Sequence, residues 1–161
     1  MDYLWSPWRM EYIQDAAADE TDGCIFCDIP SSPREADRIL ARGDLAYVVL
    51  NKFPYNPGHL LIVQYRHTPD IEDLTPDESA ELQSLLRRSV RALRDEAKPH
   101  GFNIGMNVGR VAGAGIPDHV HWHVVPRWGG DTNFTTTVGQ TRVLPELLAE
   151  THRRLAPRFA T

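Results

Sequence analysis

Cysteine is scarce: the 161 residues contain only Cys24 and Cys27, three positions apart. A disulfide framework needs more cysteines at wider spacing, so this pair points to metal or redox chemistry in a reducing compartment, and a cytoplasmic location is expected. Long apolar runs are also lacking. The longest strictly apolar stretch, Leu45 to Leu50, falls far short of the roughly 20 residues that cross a bilayer. The opening Met1-Asp2-Tyr3-Leu4-Trp5 shows no basic segment followed by an apolar one, so no secretory signal is expected. Positive charge is in deficit, with Lys plus Arg 17 against Asp plus Glu 22 and a formal net charge of −5. That balance excludes nucleic-acid binding through an overall basic field, yet allows a small phosphorylated ligand in a local pocket. Internal repeats, low-complexity tracts and Gly/Ser linkers are absent as well.

What is present fits one domain with a buried core, since 42% of residues are apolar and 24% charged. Residues 1–22 read as an arm whose Trp5, Pro7, Trp8 and Tyr12 pack on the body or on a second subunit. Leu45 to Leu50 reads as a strand, Pro54-Tyr55-Asn56-Pro57-Gly58 as a turn, and Leu60 to Val63 as the returning buried strand. Thr75 and Glu78 form a capping box with Pro76 at the first helical position, and Leu82, Leu86, Val90, Leu93 and Ala97 recur at helical spacing up to Pro99. Strands over Asn103 to Val108 and His119 to Val125 follow, then a helix over about Leu144 to Leu155. The order predicts an α+β fold: an antiparallel sheet of about five strands with one main helix and a C-terminal helix.

The informative stretch is His119-Val120-His121-Trp122-His123-Val124-Val125. Side chains alternate along a strand, so His119, His121 and His123 should line one face, about 6.7 Å apart, while Val120, Trp122 and Val124 face the core. Three imidazoles on an otherwise apolar strand mark metal or proton chemistry. As metal ligands they would need the strand to bend; as a catalytic set, one ring attacks an electrophile while its neighbours orient it. The loop before them, Gly109-Arg110-Val111-Ala112-Gly113-Ala114-Gly115, favours the second reading. Its glycines let backbone amides turn inward as an anion-binding nest, to which Arg110 adds charge, so a phosphate can be held beside the histidines.

The run His119-Val120-His121-Trp122-His123-Val124-Val125 resembles the His-φ-His-φ-His-φ-φ signature of the histidine triad (HIT) superfamily of nucleotide hydrolases and transferases. Cys24-Ile25-Phe26-Cys27, the hairpin Asn51 to His59 and the strand Gly101 to Asn107 also match, so the likeness covers about residues 23–130. The flanks Leu4-Trp5-Ser6-Pro7-Trp8-Arg9 and Pro126 to Phe134 resemble the bacterial branch that includes diadenosine tetraphosphate phosphorylases. The implied division is an aromatic arm over 1–22, a HIT domain over 23–134 and a helical extension over 135–161 packed on the same domain.

The resemblance implies that His121 attacks the α-phosphorus of a nucleoside polyphosphate and forms a nucleotidyl-histidine intermediate, which inorganic phosphate or water then releases. It implies that His123 hydrogen-bonds a phosphate oxygen, that His119 supports His121, and that the amides of Gly113, Ala114 and Gly115 stabilise charge on the phosphoryl group. It places Asn51 on the ribose, Asn107 near the scissile phosphate, and Phe26 and Ile29 along the base; from the residues alone, packing or turn capping accounts for these four equally well. A homodimer is also implied, with the arm extending its interface or building a tetramer.

Cys24-x-x-Cys27 alone reads as half a zinc site, a redox pair or two small core residues, and spacing does not select partners among His59, His67, His100 and His119. By resemblance the ligands are Cys24, Cys27, His67 and His119, holding a structural zinc. Phosphorolysis is favoured by the flanks, although Gly113-Ala114-Gly115 lacks the polar residue that some members place there. Two other classes compete: a nucleotide-binding interaction module with vestigial activity, and a metalloenzyme with three histidine ligands. Hydrolysis of diadenosine polyphosphates or nucleoside phosphoramidates is the nearest enzymatic alternative.

Overall fold

A computed structural model describes residues 23–131 and 146–160. The expected arm over 1–22, the segment 132–145 and the start of the C-terminal helix at Leu144 lie outside them. The elements run α1 (Ile25–Asp28), β1 (Ile39–Arg42), β2 (Ala46–Leu50), β3 (Leu60–Gln64), α2 (Pro76–Ala97), β4 (Gly101–Gly105), β5 (His121–Arg127) and α3 (Leu148–Leu155), with short 3-10 turns between. The five strands form one antiparallel sheet in the order β1-β2-β3-β5-β4. Among the described residues no helix is long and apolar enough to cross a membrane.

Helix α2 forms where local chemistry demands it. The Thr75 hydroxyl accepts the Glu78 amide at 3.2 Å, and Glu78 Oε2 accepts the Thr75 amide at 2.8 Å, so two orphan donors of the first turn are satisfied. Lys98 closes the helix in the left-handed region, φ 46°, just before Pro99, which cannot continue it.

Strand alternation sorts the core into two clusters on opposite faces of the sheet. Ala46, Val48, Leu50, Leu60, Ile62 and Val124 pack with Leu82, Leu85, Leu86 and Leu93 of α2, and Leu155 and Phe159 seal this layer from the C-terminal end. Tyr47, Val49, Leu61 and Val63 point the other way and pack with Phe26 and Ile29 from the α1 region. The apolar helix layer fixes β5 so that His121 and His123 emerge on the second face.

Some boundaries differ from the sequence expectation. Strand β1 carries no alternation to announce it, and its register with β2 shifts between Ile39 and Ala41. Strand β4 occupies Gly101–Gly105 rather than Asn103 to Val108, because Gly101 pairs with Arg127. Strand β5 begins at His121 rather than His119; the Val120 amide bonds the Thr68 carbonyl at 2.8 Å instead.

Candidate functional site: a histidine face beside a Cys2His2 cluster

The three histidines of the signature do not stand in one row. His121 and His123 stay on the sheet face with ring centroids 4.9 Å apart. His119, one step before the strand, is fully buried and turns its ring toward the cysteines. Its Nδ1 lies 3.3 Å from Cys24 Sγ and 3.6 Å from Cys27 Sγ, while Cys27 Sγ is 3.5 Å from His67 Nδ1. The ligand atoms of all four residues fall within 4.8 Å of one another. Sulfur and nitrogen ligands of tetrahedral zinc, at about 2.3 and 2.0–2.1 Å from the ion, must stand about 3.6 Å apart. The cluster has that spacing, so the donor set fits a closed tetrahedral site. The His119 ring also fits: Nε2–H donates to the Gln64 carbonyl at 2.9 Å, which leaves Nδ1 as the ligand atom.

Electrostatics point the same way. Desolvation, then the neighbouring Cys24, pushes the Cys27 thiol up to about 11, so the Cys27 sulfur resists ionising without a cation beside it. Burial lowers His119 to about 4 and keeps its ring neutral, as a ligand must be.

His121 is oriented by the chain itself. Its Nδ1–H donates to the main-chain carbonyl of His119 at 2.8 Å, so the lone pair sits on Nε2. Burial lowers its pKa, with the bond to His119 opposing the shift, so the ring is neutral near pH 7. Phe26 packs against it at 4.6 Å between centroids and against His119 at 5.6 Å.

His123 is held through His59, which the sequence offered only as an alternative metal ligand. The Tyr55 amide donates to His59 Nδ1 at 3.1 Å, and the Asn51 side chain lies 3.3 Å from the same nitrogen. His59 therefore carries its proton on Nε2 and donates it to His123 Nδ1, 3.0 Å away. Accepting at Nδ1 leaves Nε2 as the hydrogen-bearing nitrogen of His123. The Tyr55 ring stacks at 10° and 5.9 Å over His123. A signal for His59 was available: it has the parity of Leu61 and Val63, which face the site.

The other predicted residues are placed as follows. Asn51 Oδ1 accepts the Phe53 amide at 3.0 Å, a turn-capping contact. Asn107 Nδ2 reaches the Gly113 carbonyl at 3.4 Å and braces the glycine loop. Phe26 and Ile29 are buried in the second core cluster. In the loop, Gly109 and Gly113 take φ of 81° and 88°, which L side chains rarely adopt. The amides of Gly113 and Ala114 bond the Arg110 and Gly109 carbonyls at 2.9 and 3.3 Å, so both are turned into the loop. Gly105 pairs with His123 in register, and a Cβ there would meet nothing within 4 Å among the described residues. The sheet is thus open beside His123.

An antiparallel sheet that presents a tautomer-fixed imidazole beside a second histidine, with a Cys2His2 cluster behind, defines a histidine-based group-transfer fold. The HIT domain matches residues 33–130, and the chain belongs to the HIT family. It is 45% identical to the AP-4-A phosphorylase of Mycobacterium tuberculosis, over 98% of this chain and 84% of that protein. A HIT-like protein of Saccharolobus solfataricus is 33% identical over 69% of this chain and 78% of its own length. Among solved structures, a zinc-bound histidine triad family protein from Mycobacterium smegmatis superposes with a TM-score of 0.69 at 30% identity, covering 86% of this chain and 94% of that one.

Proposed function

We propose that this protein cleaves dinucleoside polyphosphates, diadenosine tetraphosphate among them, at the α-phosphate through a nucleotidyl-His121 intermediate, with inorganic phosphate as the favoured acceptor and water as the alternative. The observation that carries the reading is the 2.8 Å bond from His121 Nδ1–H to the His119 carbonyl, which aims a neutral Nε2 lone pair off the sheet. The 45% identity to an AP-4-A phosphorylase over nearly the whole chain supports the substrate class.

The steps follow from the tautomers. The Nε2 lone pair of His121 forms a bond to the α-phosphorus while the bond from phosphorus to the leaving nucleoside polyphosphate breaks, and that oxygen takes the electron pair. Positive charge arising on the ring is stabilised by the His119 carbonyl at Nδ1–H. His123 offers Nε2–H to a phosphoryl oxygen, where charge accumulates. An oxygen of inorganic phosphate then attacks the same phosphorus, the N–P bond breaks, and His121 returns neutral. We assign Asn51 to the ribose, Asn107 and the loop at its Gly115 end to the phosphates, since the Gly113 and Ala114 amides bond within the loop, and Phe26 and Ile29 to the floor under the base.

The same reading gives Cys24, Cys27, His67 and His119 a structural zinc, whose chemistry is to cross-link α1 to the start of β5. It includes a homodimer, because β4 is an edge strand paired only with β5 among the described residues, with Ile104 43% exposed. A cytoplasmic setting suits the two unpaired thiols.

The deciding experiment traps radiolabelled nucleotide on the protein and compares products with and without phosphate. Label on His121, with ADP formed only when phosphate is present, supports the proposal. ATP and AMP formed regardless of phosphate would move it to hydrolysis, and the absence of any adduct would remove His121 as nucleophile.

A further inference from the structure

A polar knot lies at the Arg127 end of β5, the opposite end of the strand from His121. Asp131 Oδ2 accepts from Arg127 Nε at 2.6 Å, Asn56 Nδ2 at 2.7 Å and the Trp128 amide at 3.1 Å, while Oδ1 accepts from Arg127 Nη2 at 2.8 Å. Asn56 is 4% exposed, and its side chain also donates to the Pro126 carbonyl at 2.9 Å. Arg127 Nη1 reaches Asn103 Oδ1 at 2.6 Å. One carboxylate therefore ties the β2–β3 turn to the end of β5, and its arginine partner adds β4.

The turn so tied is the one that sets His59. Two of its main-chain contacts with this histidine come from Tyr55 and Asn56: the Tyr55 amide donates to His59 Nδ1, and the Asn56 carbonyl accepts the His59 amide at 3.1 Å. Gly58, at φ 79°, lets the turn close on Leu93 and Pro126, where an added Cβ would come within 3.0 and 3.4 Å. If the turn drifts, the Tyr55 amide leaves Nδ1, and His59 can then place its proton on either nitrogen. His123 would follow, because the nitrogen of His59 that it faces decides which of its own nitrogens holds hydrogen.

We propose that Asp131 and Asn56 are positioning residues: by clamping the Tyr55–Asn56 turn to β5 they fix the His59 tautomer and so keep the His123 proton on Nε2, aimed at the phosphoryl group. This rests on the reading of the histidine face as a phosphoryl-transfer site. Four donors converge on Asp131, and the guanidinium of Arg127 holds its carboxyl far below the usual carboxylate range.

The test uses Asp131→Asn, which keeps the shape of the side chain, and Asn56→Ala. Nitrogen-15 NMR of the histidine rings should show His123 protonated at Nε2 in the unmodified protein and a mixture of tautomers in Asp131→Asn. Turnover of diadenosine tetraphosphate should fall about tenfold to hundredfold in kcat, toward the loss seen when one donor to a developing oxyanion is removed, with KM changed little. The two diastereomers of a substrate with sulfur at a non-bridging α-oxygen should be turned over at rates whose ratio moves toward one in the variant. Loss of folding stability alone moves neither the tautomer nor that ratio. If Asn56→Ala does not fold, Asp131→Asn decides. An unchanged His123 tautomer in Asp131→Asn, or an unchanged diastereomer ratio, overturns the proposal. Absence of a nucleotidyl-His121 adduct in the unmodified protein would instead overturn the underlying reading.

Discussion

The main-chain carbonyl of His119 stands 2.8 Å from Nδ1 of His121, while the side chain of the same His119 belongs to the cluster with Cys24, Cys27 and His67. One residue thus serves two sites, through its ring on one side and its backbone on the other. The contact between His119 and His121 runs through the His119 carbonyl, not its imidazole.

On the proposed reading, that double role couples metal content to turnover. Stripping the protein with a chelator, or replacing Cys24 by Ser, should lower kcat about tenfold or more, in line with losses when residues supporting a reactive group are disturbed. Native mass spectrometry should find one zinc per chain before treatment and none after. Full activity in demonstrably metal-free protein would separate the two sites.

Gly105 offers a way to block the site without disturbing the core. Gly105→Val would place its branches in the open space beside His123, where nothing needs to move. The melting temperature should stay within a few degrees, since surface changes away from special features cost within about 0.5 kcal/mol. KM for the dinucleotide should rise or turnover vanish. Normal kinetics would mean that substrate does not cross this part of the sheet.

Glu78 links α2 to the segment after β3: it accepts from Arg66 at 2.8 and 2.7 Å and completes the capping box with Thr75. Arg66 is the main cause that lowers its pKa from 4.5 to about 2. A depressed carboxylate pKa stabilises the fold fully above the unfolded value, and this contribution disappears as pH falls through the folded value. Thermal unfolding of the unmodified protein and of Glu78→Gln should therefore differ most above pH 4.5 and converge toward pH 2. A constant gap across that window would assign the stabilisation to packing instead.

Phe26 should matter for stability as well as for the site, because it is 4% exposed and its ring abuts both His119 and His121. Phe26→Ala is expected to cost about 3–5 kcal/mol, the usual range for removing a buried aromatic ring. Denaturant titration would measure it, and a loss below about 1 kcal/mol would show that the second core cluster collapses to fill the gap.

Much of this arrangement was legible in the chain because its causes are local. The capping box at Thr75, the stop at Pro99 and the unbroken apolar run Leu60–Val63 each act within a few residues, and the structure follows them. What escaped depends on distant partners. His119 leaves the expected row because Gln64 and the two cysteines, far away in sequence, hold its ring. His59 joins the site only through the pairing of β3 with β5, and the proposed clamp on its turn needs Asp131, 75 positions along the chain from Asn56. The inward-turned amides of Gly113 and Ala114 were likewise invisible, since glycine spacing permits a nest without saying which way each N–H points.

The two-residue beat of β5 carries one more implication. His121 and His123 lie on one face of the strand, and the even positions Trp122 and Val124 lie on the other, among the leucines of α2. Inserting a single residue between His121 and His123 would leave composition and hydropathy almost untouched, yet it would put the two imidazoles on opposite faces of the strand, one of them in the oily layer. Reading frame in this stretch is therefore a quantity the fold cannot negotiate, and natural length variation should accumulate elsewhere in the chain.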